Sequence, residues 1–337
     1  MPAKTRKTEK RSFSDFFLEM FTWLLGLGDV IFNPLQRLIG LKRMAWVFLL
    51  PNLVIFGIFI LLPMLLNFAY SFTSGNEMLL ENRAFVGMDN LDRLFSCENY
   101  GLPNTCREDL FWRAASNTLV FVLGQVIFMV LLSLITALAL NRSVPWRGFF
   151  RAMFFYPVLL SPVVVALIWR WILQDQYGLL NSVLVSLGMP KVGWLIQANW
   201  AQFWVIAVSI WAQMGFFTLI LLAGLQSISK EVYEASAMDG ANPWQSFTQI
   251  TWPLLLPTTT VVVILALIRA VQVFDQVFVL TGGGPGTATL YLVQYIYRSA
   301  FDFRNYGLAA AASLVMAVVL LVLTLGQLYF SRKQEAA

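Results

Sequence analysis

Six stretches of this chain are nearly pure hydrocarbon over lengths that only a bilayer demands: residues 44–72, 114–140, 152–169, 201–226, 254–281 and 306–330. At 1.5 Å rise per residue, about 20 apolar residues carry a helix across the membrane core. Five of the six contain no Asp, Glu, Lys or Arg; the fifth contains Arg269 and, nearer its far end, Asp275. Only 12% of the 337 residues are charged, against about 25% in soluble domains. The chain therefore reads as an all-α integral membrane protein with six transmembrane helices. Prolines 51, 63, 157, 162 and 257 interrupt spans, which membrane helices tolerate when neighbours satisfy the freed backbone.

The net charge of +5 would allow nucleic acid as a partner, but the placement of the charges speaks for membrane topology instead. Eight of the 23 basic residues precede Met44. With the N-terminus in the cytoplasm, the inner segments hold 14 Lys and Arg and the outer segments 8, as the positive-inside rule requires. Both termini are then cytoplasmic in a multi-pass membrane protein. Residues 1–43 form a cytoplasmic leader and 331–337 a tail. Within the leader, Asp15, Glu19, Thr22, Gly26 and Asp29 fall on one helical face and Phe13, Phe16, Phe17, Met20, Phe21 and Leu24 on the other. That pattern predicts an interfacial amphipathic helix over residues 13–27, resting on lipid. A disordered leader is the plainer alternative. No small-residue cleavage site follows, so a removable signal peptide is not expected.

Much chemistry is excluded. The chain has no histidine, the commonest general base and metal ligand. Two cysteines cannot make a zinc site alone. Cys97 and Cys106, in an outer segment, either close a small loop by a disulfide on an oxidising side or remain two thiols. No G-x-x-x-x-G-K-[ST] occurs, so the chain carries no P-loop of its own. The glycine-rich 281–290 stretch, TGGGPGTATL, lacks the lysine and preceding strand of a phosphate cradle and predicts a turn. Residues 170–200 mix aromatics with amides and predict an interfacial helix with an aromatic belt.

Between the fourth and fifth spans, residues 227–253 leave the hydrocarbon for one short hydrophilic helix. Ser229 is placed to cap it, Glu231 and Glu234 suit its positive end, and Gly240 suits a left-handed stop. Asn242, Pro243 and Gln245 then start a second short helix as cap, first residue and third residue. Small residues, Ala235, Ser236, Ala237 and Ala241, would let another protein come close. Caps at this density predict a rigid docking elbow, where an ordinary solvated loop would need none of them.

These residues resemble the EAA motif of membrane permease subunits in binding-protein-dependent ABC importers: Glu-Ala-Ala, three residues, Gly, nine residues, Ile-x-Leu-Pro. Here it reads Glu234-Ala235-Ser236, Gly240, then Ile250-Thr251-Trp252-Pro253. Ser236 and Trp252 depart from the pattern while the spacing is intact. The surrounding LQSISKEVYEASAMDGANPW, VFDQVFVLTGGGP and YIYRSAF are similar to the sugar branch, near the maltose and glycerol-3-phosphate permeases. The resemblance covers about residues 44–330. It implies that 231–241 is a coupling helix docked to a cytoplasmic ATPase through Glu231, Glu234, Ala235, Ser236, Asp239 and Gly240. It implies further that a second, similar permease completes the pore and that an extracytoplasmic binding protein delivers the solute. No cofactor is expected on this chain; ATP and Mg belong to the partner ATPase.

A solute path needs polar groups at membrane depth, where they are costly and informative. Those available are Asn117 and Gln125 on span two, Ser209 and Gln213 on span four, and Arg269 and Gln272 on span five. Trp211, Phe216 and Phe274 could stack on a sugar ring. Ser209, Gln213 and Phe216 share one helical face at i, i+4 and i+7, and similar positions line the sugar pocket in maltose-type relatives. Interhelical hydrogen bonding is the alternative role for each amide. A membrane enzyme, a structural or assembly protein with a docking helix, and a non-ABC carrier are the rival readings. The first lacks a catalytic constellation, the second predicts no polar path, and the third gives the elbow no purpose.

Overall fold

The computed structural model describes Thr22, Gln36, residues 40–142 and residues 145–335, without the side chains of 41–43 and 330–335. The expected interfacial helix over 13–27 lies, but for Thr22, outside them. Five uninterrupted helices among the described residues are long and apolar enough to cross a bilayer: Met44–Ser71, Asp109–Asn141, Ala198–Ser227, Pro243–Val271 and Tyr306–Tyr329. A bent pair, Arg147–Leu159 with Pro162–Ile172, brings the number to six when counted as one span. The chain divides into two units, residues 1–67 and 68–337, with the boundary inside span one. In the first unit a helix over Leu41–Phe56 passes through a π turn at Gly57–Leu61. Its apolar side chains, Trp46 and Phe59 among them, are exposed.

In the second unit, spans two, four and five build the core. Phe121 and Met129 share one buried cluster with Val205, Phe217 and Leu221 and with Leu255, Val262 and Ala266. Lipid tails are as apolar as leucine, so close fit rather than water exclusion holds such helices together. Gly215 shows how close the fit is. A Cβ there would fall on the carbonyl oxygen of Phe154, with Phe154 C at 2.8 Å and Phe155 Cα at 2.9 Å. Only a glycine lets span four touch the backbone of span three at this point.

Two spans are broken. Span three, expected over 152–169 with Pro157 and Pro162 interrupting it, bends by 100° between Leu159 and Pro162. Pro162 drives Ser161 into extended geometry, φ −66° and ψ 147°, and the Ser161 hydroxyl then accepts from Val164 N at 3.3 Å to start the second half. Span five, expected over 254–281, ends at Val271. Phe274 leaves helical geometry at φ −144° and ψ −71°, and a separate helix, Asp275–Leu280, begins with an acid at its positive end. Arg269 therefore sits in the last turn of its helix, not at mid-span. At the other end, Pro243–Ser246 is no separate helix. It runs through a π turn at Phe247–Thr251 into Trp252–Val271.

The 72–108 segment is an ordered cap over one end of the bundle. A two-residue hairpin, Thr73–Ser74 with Ala84–Phe85, is held by Arg83, which donates to Thr73 Oγ1 at 2.8 Å and to the Gly75 and Glu77 carbonyls at 2.7 Å. Burial lowers the Arg83 pKa, against the opposing influence of Tyr70 and Tyr306. Cys97 and Cys106 are joined in a disulfide, and Arg93 pairs with the buried Glu108 at 2.9 Å at the foot of span two. The glycine-rich turn lies at this same end, with Gly282, Gly283 and Gly286 at positive φ. Asn117 Nδ2 donates to the Thr287 and Leu290 carbonyls at 2.7 and 3.2 Å, and Gln202 Nε2 to Ala288 O at 2.9 Å. Side-chain amides of two spans thus stitch the turn down.

Candidate functional site

Both breaks open onto one cleft of about 350 Å³. Pro157, Leu160 and Pro162 of the bent span form one wall, and Gln213 of span four forms its floor. The opposite wall is the frayed end of span five, with Arg269, Gln272, Phe274, Asp275 and Gln276. The helix breaks are what make the cleft polar: they place two amides, a guanidinium and a carboxylate where unbroken helices would present hydrocarbon. Arg269 stands over the rings of Phe216 and Phe217, 4.6 and 5.8 Å from their centroids. Such cation–π contact is worth about 0.5–1 kcal/mol at exposed sites, and it leaves the edge of the guanidinium plane with its donors unspent. Gln213 Oε1 and Gln276 Nε2 are buried with no hydrogen-bond partner, one an acceptor and the other a donor. Arg269, Gln272 and Asp275 are exposed. Together these groups suit a polyhydroxylated solute, whose hydroxyls can both donate and accept.

The structure brings together only part of the set read from sequence. Gln213, Arg269 and Gln272 line the cleft, and Phe216 supports it through Arg269. Asn117 is committed to the glycine-rich turn. Gln125 is fully buried. Ser209, also fully buried, returns its hydroxyl to Val205 O at 2.7 Å, so the shared face of Ser209, Gln213 and Phe216 divides. Trp211 points away, into an apolar groove with Gly124, Phe128 and Phe203. None of these last four residues opens onto the cleft. Conversely, Gln276 and the prolines of span three belong to it without having been foreseen. The QVFDQ run from Gln272 to Gln276 was the available sign, since so many polar groups at a span's end favour a break over a continuing helix.

The elbow has its predicted helix, glycine stop and Asn242–Gln245 box, without the Ser229 side-chain cap or a separate second helix. A helix over Lys230–Met238 carries Glu231 in its first turn, and Gly240 follows at φ 78°. Asn242 and Gln245 make a reciprocal capping box, each bond at 2.9 Å. Ser229 has the backbone of a cap, but its side chain makes no capping bond. Glu231, Glu234, Ala235, Asp239 and Gly240 are exposed, Ser236 is half-buried, and Met238 and Trp244 stand 89% and 71% exposed. Exposed large apolar groups beside small residues make a surface ready for a protein partner.

A multi-pass bundle with a polar cleft at two helix breaks and a rigid hydrophilic elbow defines a transport permease. The family of binding-protein-dependent transport system inner membrane components matches residues 129–335, and the chain belongs to it. Among curated proteins it is similar to the multiple sugar-binding transport system permease MsmF of Streptococcus mutans, at 35% identity over 87% of this chain and 97% of that one. It is 34% identical to the trehalose/maltose transport system permease MalF of Thermococcus litoralis, over 86% of this chain and 94% of the relative. Among solved structures, it superposes on a chain of a bacterial ABC transporter that imports the acidic polysaccharide alginate. That match has a TM-score of 0.75 and 28% identity over 89% of this chain and 99% of the other. A bacterial alginate ABC transporter in complex with an alginate pentasaccharide-bound periplasmic protein gives 0.73 and 29%, over 89% of this chain and 97% of the other.

Proposed function

We propose that this permease subunit conducts a saccharide, and that the cleft between the bent span three and the end of span five is its contact with the solute. The observation that carries this is Arg269, stacked on Phe216 with its outer donors uncommitted, beside the unpartnered amides of Gln213 and Gln276. The sugar named in several relatives' descriptions supports the same chemistry. The 231–241 elbow docks a cytoplasmic ATPase, which supplies ATP and Mg. A second permease faces the exposed side of the cleft, and an extracytoplasmic binding protein delivers solute to the opposite end. The distribution of Lys and Arg favours both termini in the cytoplasm of an inner membrane.

The test is uptake by the reconstituted complex over a panel of neutral and acidic oligosaccharides, with Arg269→Gln and Arg269→Lys beside the parent. A charged hydrogen bond contributes about 1.5–3 kcal/mol, so losing the fork raises the half-saturating concentration about tenfold or more. Lysine restores charge without the planar fork and recovers only part. Parental affinity and selectivity in an assembled Arg269→Gln complex would remove Arg269 from the path.

A further inference from the structure

Three spans line the cleft, and two of them are continuous with the elbow through the chain. Span four runs into it at Ser227, and span five begins two residues after Ala241. Span three is not joined to it at all. Yet the first turns of span three reach the end of span four. With its amide oxygen turned to the donors, Gln226 accepts from Arg147 Nη2 at 2.7 Å and from Arg151 Nη2 at 2.8 Å. Among the described residues no carboxylate pairs with either arginine, so the two cations share one neutral acceptor. Gln226 lies four residues before Lys230, where the elbow helix starts, and Arg151 lies six residues before Pro157, where the cleft wall starts.

A second polar tie sits on the other side of the elbow. The Tyr233 hydroxyl meets Thr251 Oγ1 at 3.0 Å. Thr251, buried in the π turn of span five, gives its own proton to Ser246 O at 3.3 Å, so Tyr233 is the donor. This bond fastens the elbow helix across its glycine stop to the span that follows. A helix pinned in that way moves as a lever, whereas one free to pivot at Gly240 would absorb a push.

We propose that the Arg147–Arg151–Gln226 clamp is the link by which displacement of the elbow reaches span three, with Tyr233–Thr251 keeping the elbow rigid enough to deliver it. The inference rests on the reading of 231–241 as the ATPase-docking element. Arg147, Arg151, Gln226 and Tyr233 are positioning residues, remote from the solute, whose effect is felt at the bent wall of the cleft. A wall tied in this way changes position when packed, bonded elements shift as rigid bodies.

The chain allows a direct readout, because its two cysteines are joined in a disulfide and a new thiol is unique on it. In the complete complex in nanodiscs, Val158→Cys on the span-three wall is labelled with a maleimide under ATP and under ATP with vanadate. The parent complex changes its labelling rate on vanadate trapping. Coupling along packed networks amounts to about 0.5–2 kcal/mol, so Gln226→Leu diminishes that change about 2- to 30-fold while trapped nucleotide stays at the parent's level. Gln226→Glu, which offers both guanidiniums a charged acceptor, keeps it. Should Gln226→Leu fail to assemble, Arg151→Gln is read the same way. A full vanadate-dependent change in the Gln226→Leu or Arg151→Gln complex overturns the clamp alone. If the parent traps nucleotide and Val158→Cys never responds, the docking reading fails and takes the clamp with it.

Discussion

Replacing Gly215 by alanine tests the packing that creates the cleft. The added Cβ would lie within 3.0 Å of three backbone atoms of Phe154 and Phe155. Because the obstacles are main chain, no rotamer change relieves them, and span three must back away from span four by about 1 Å. Overpacking of this sort costs about 1–3 kcal/mol. Gly326→Ala is the control: a Cβ there meets nothing within 4 Å, and the helix gains about 0.5–1 kcal/mol from losing a glycine. Gly215 is helical too, so that gain is common to both and the two variants should differ by about 1–3 kcal/mol. At about 2–4 °C per kcal/mol for a domain of this size, that is roughly 2–12 °C in melting temperature. Thermal unfolding in nanodiscs, read by fluorescence and by size exclusion after heating, provides the comparison. Uptake should fall with Gly215→Ala even below its melting point, since Pro157 and Leu160 move with the displaced backbone. If Gly215→Ala melts together with Gly326→Ala, the close approach of the two spans does not hold the cleft in shape.

Two further outcomes follow from the same contacts. Asn117→Leu strands the Thr287 and Leu290 carbonyls, at about 1–3 kcal/mol for buried groups left unpaired, so proteolysis within 281–292 should quicken while solute affinity in the intact fraction stays parental; altered affinity would return Asn117 to the path. A thiol at Gly286→Cys should react with an impermeant reagent in sealed cells and one at Asn242→Cys should not, the reverse pattern overturning the topology and the ATPase docking together.

Periodicity and capping chemistry are local, and what depended on them was legible in the sequence. The existence of the spans, the glycine stop at Gly240 and the Asn242–Gln245 box could all be read that way. The helix breaks could not be placed so firmly. Hydrophobicity runs unchanged through Pro157 and Pro162, and nothing local distinguishes a tolerated proline from one that turns the chain by 100°. The bend depends on Ser161 capping its own helix and on Gly215 admitting the backbone of Phe154. The substrate-path residues were harder for a related reason. An amide in a span is equally useful for stitching and for lining, and only tertiary contact separates Asn117, spent on the glycine-rich turn, from Gln213 in the cleft. Spacing placed Ser209 on the face of Gln213, but burial took it into the core.

The central claim is that this chain transports only as part of an ATP-driven assembly gripped at its elbow, and purification of the tagged chain from its native membrane tests that most directly. An ATPase chain carrying a G-x-x-x-x-G-K-[ST] loop and a second permease should come with it, and the preparation should hydrolyse ATP in a vanadate-sensitive manner. With Gly240→Trp, a side chain at φ 78° on an exposed turn, membrane insertion and the second permease should be retained while the ATPase and its hydrolysis are lost. Recovery of the parent chain alone, or of a Gly240→Trp complex with its full complement of ATPase, would contradict the account.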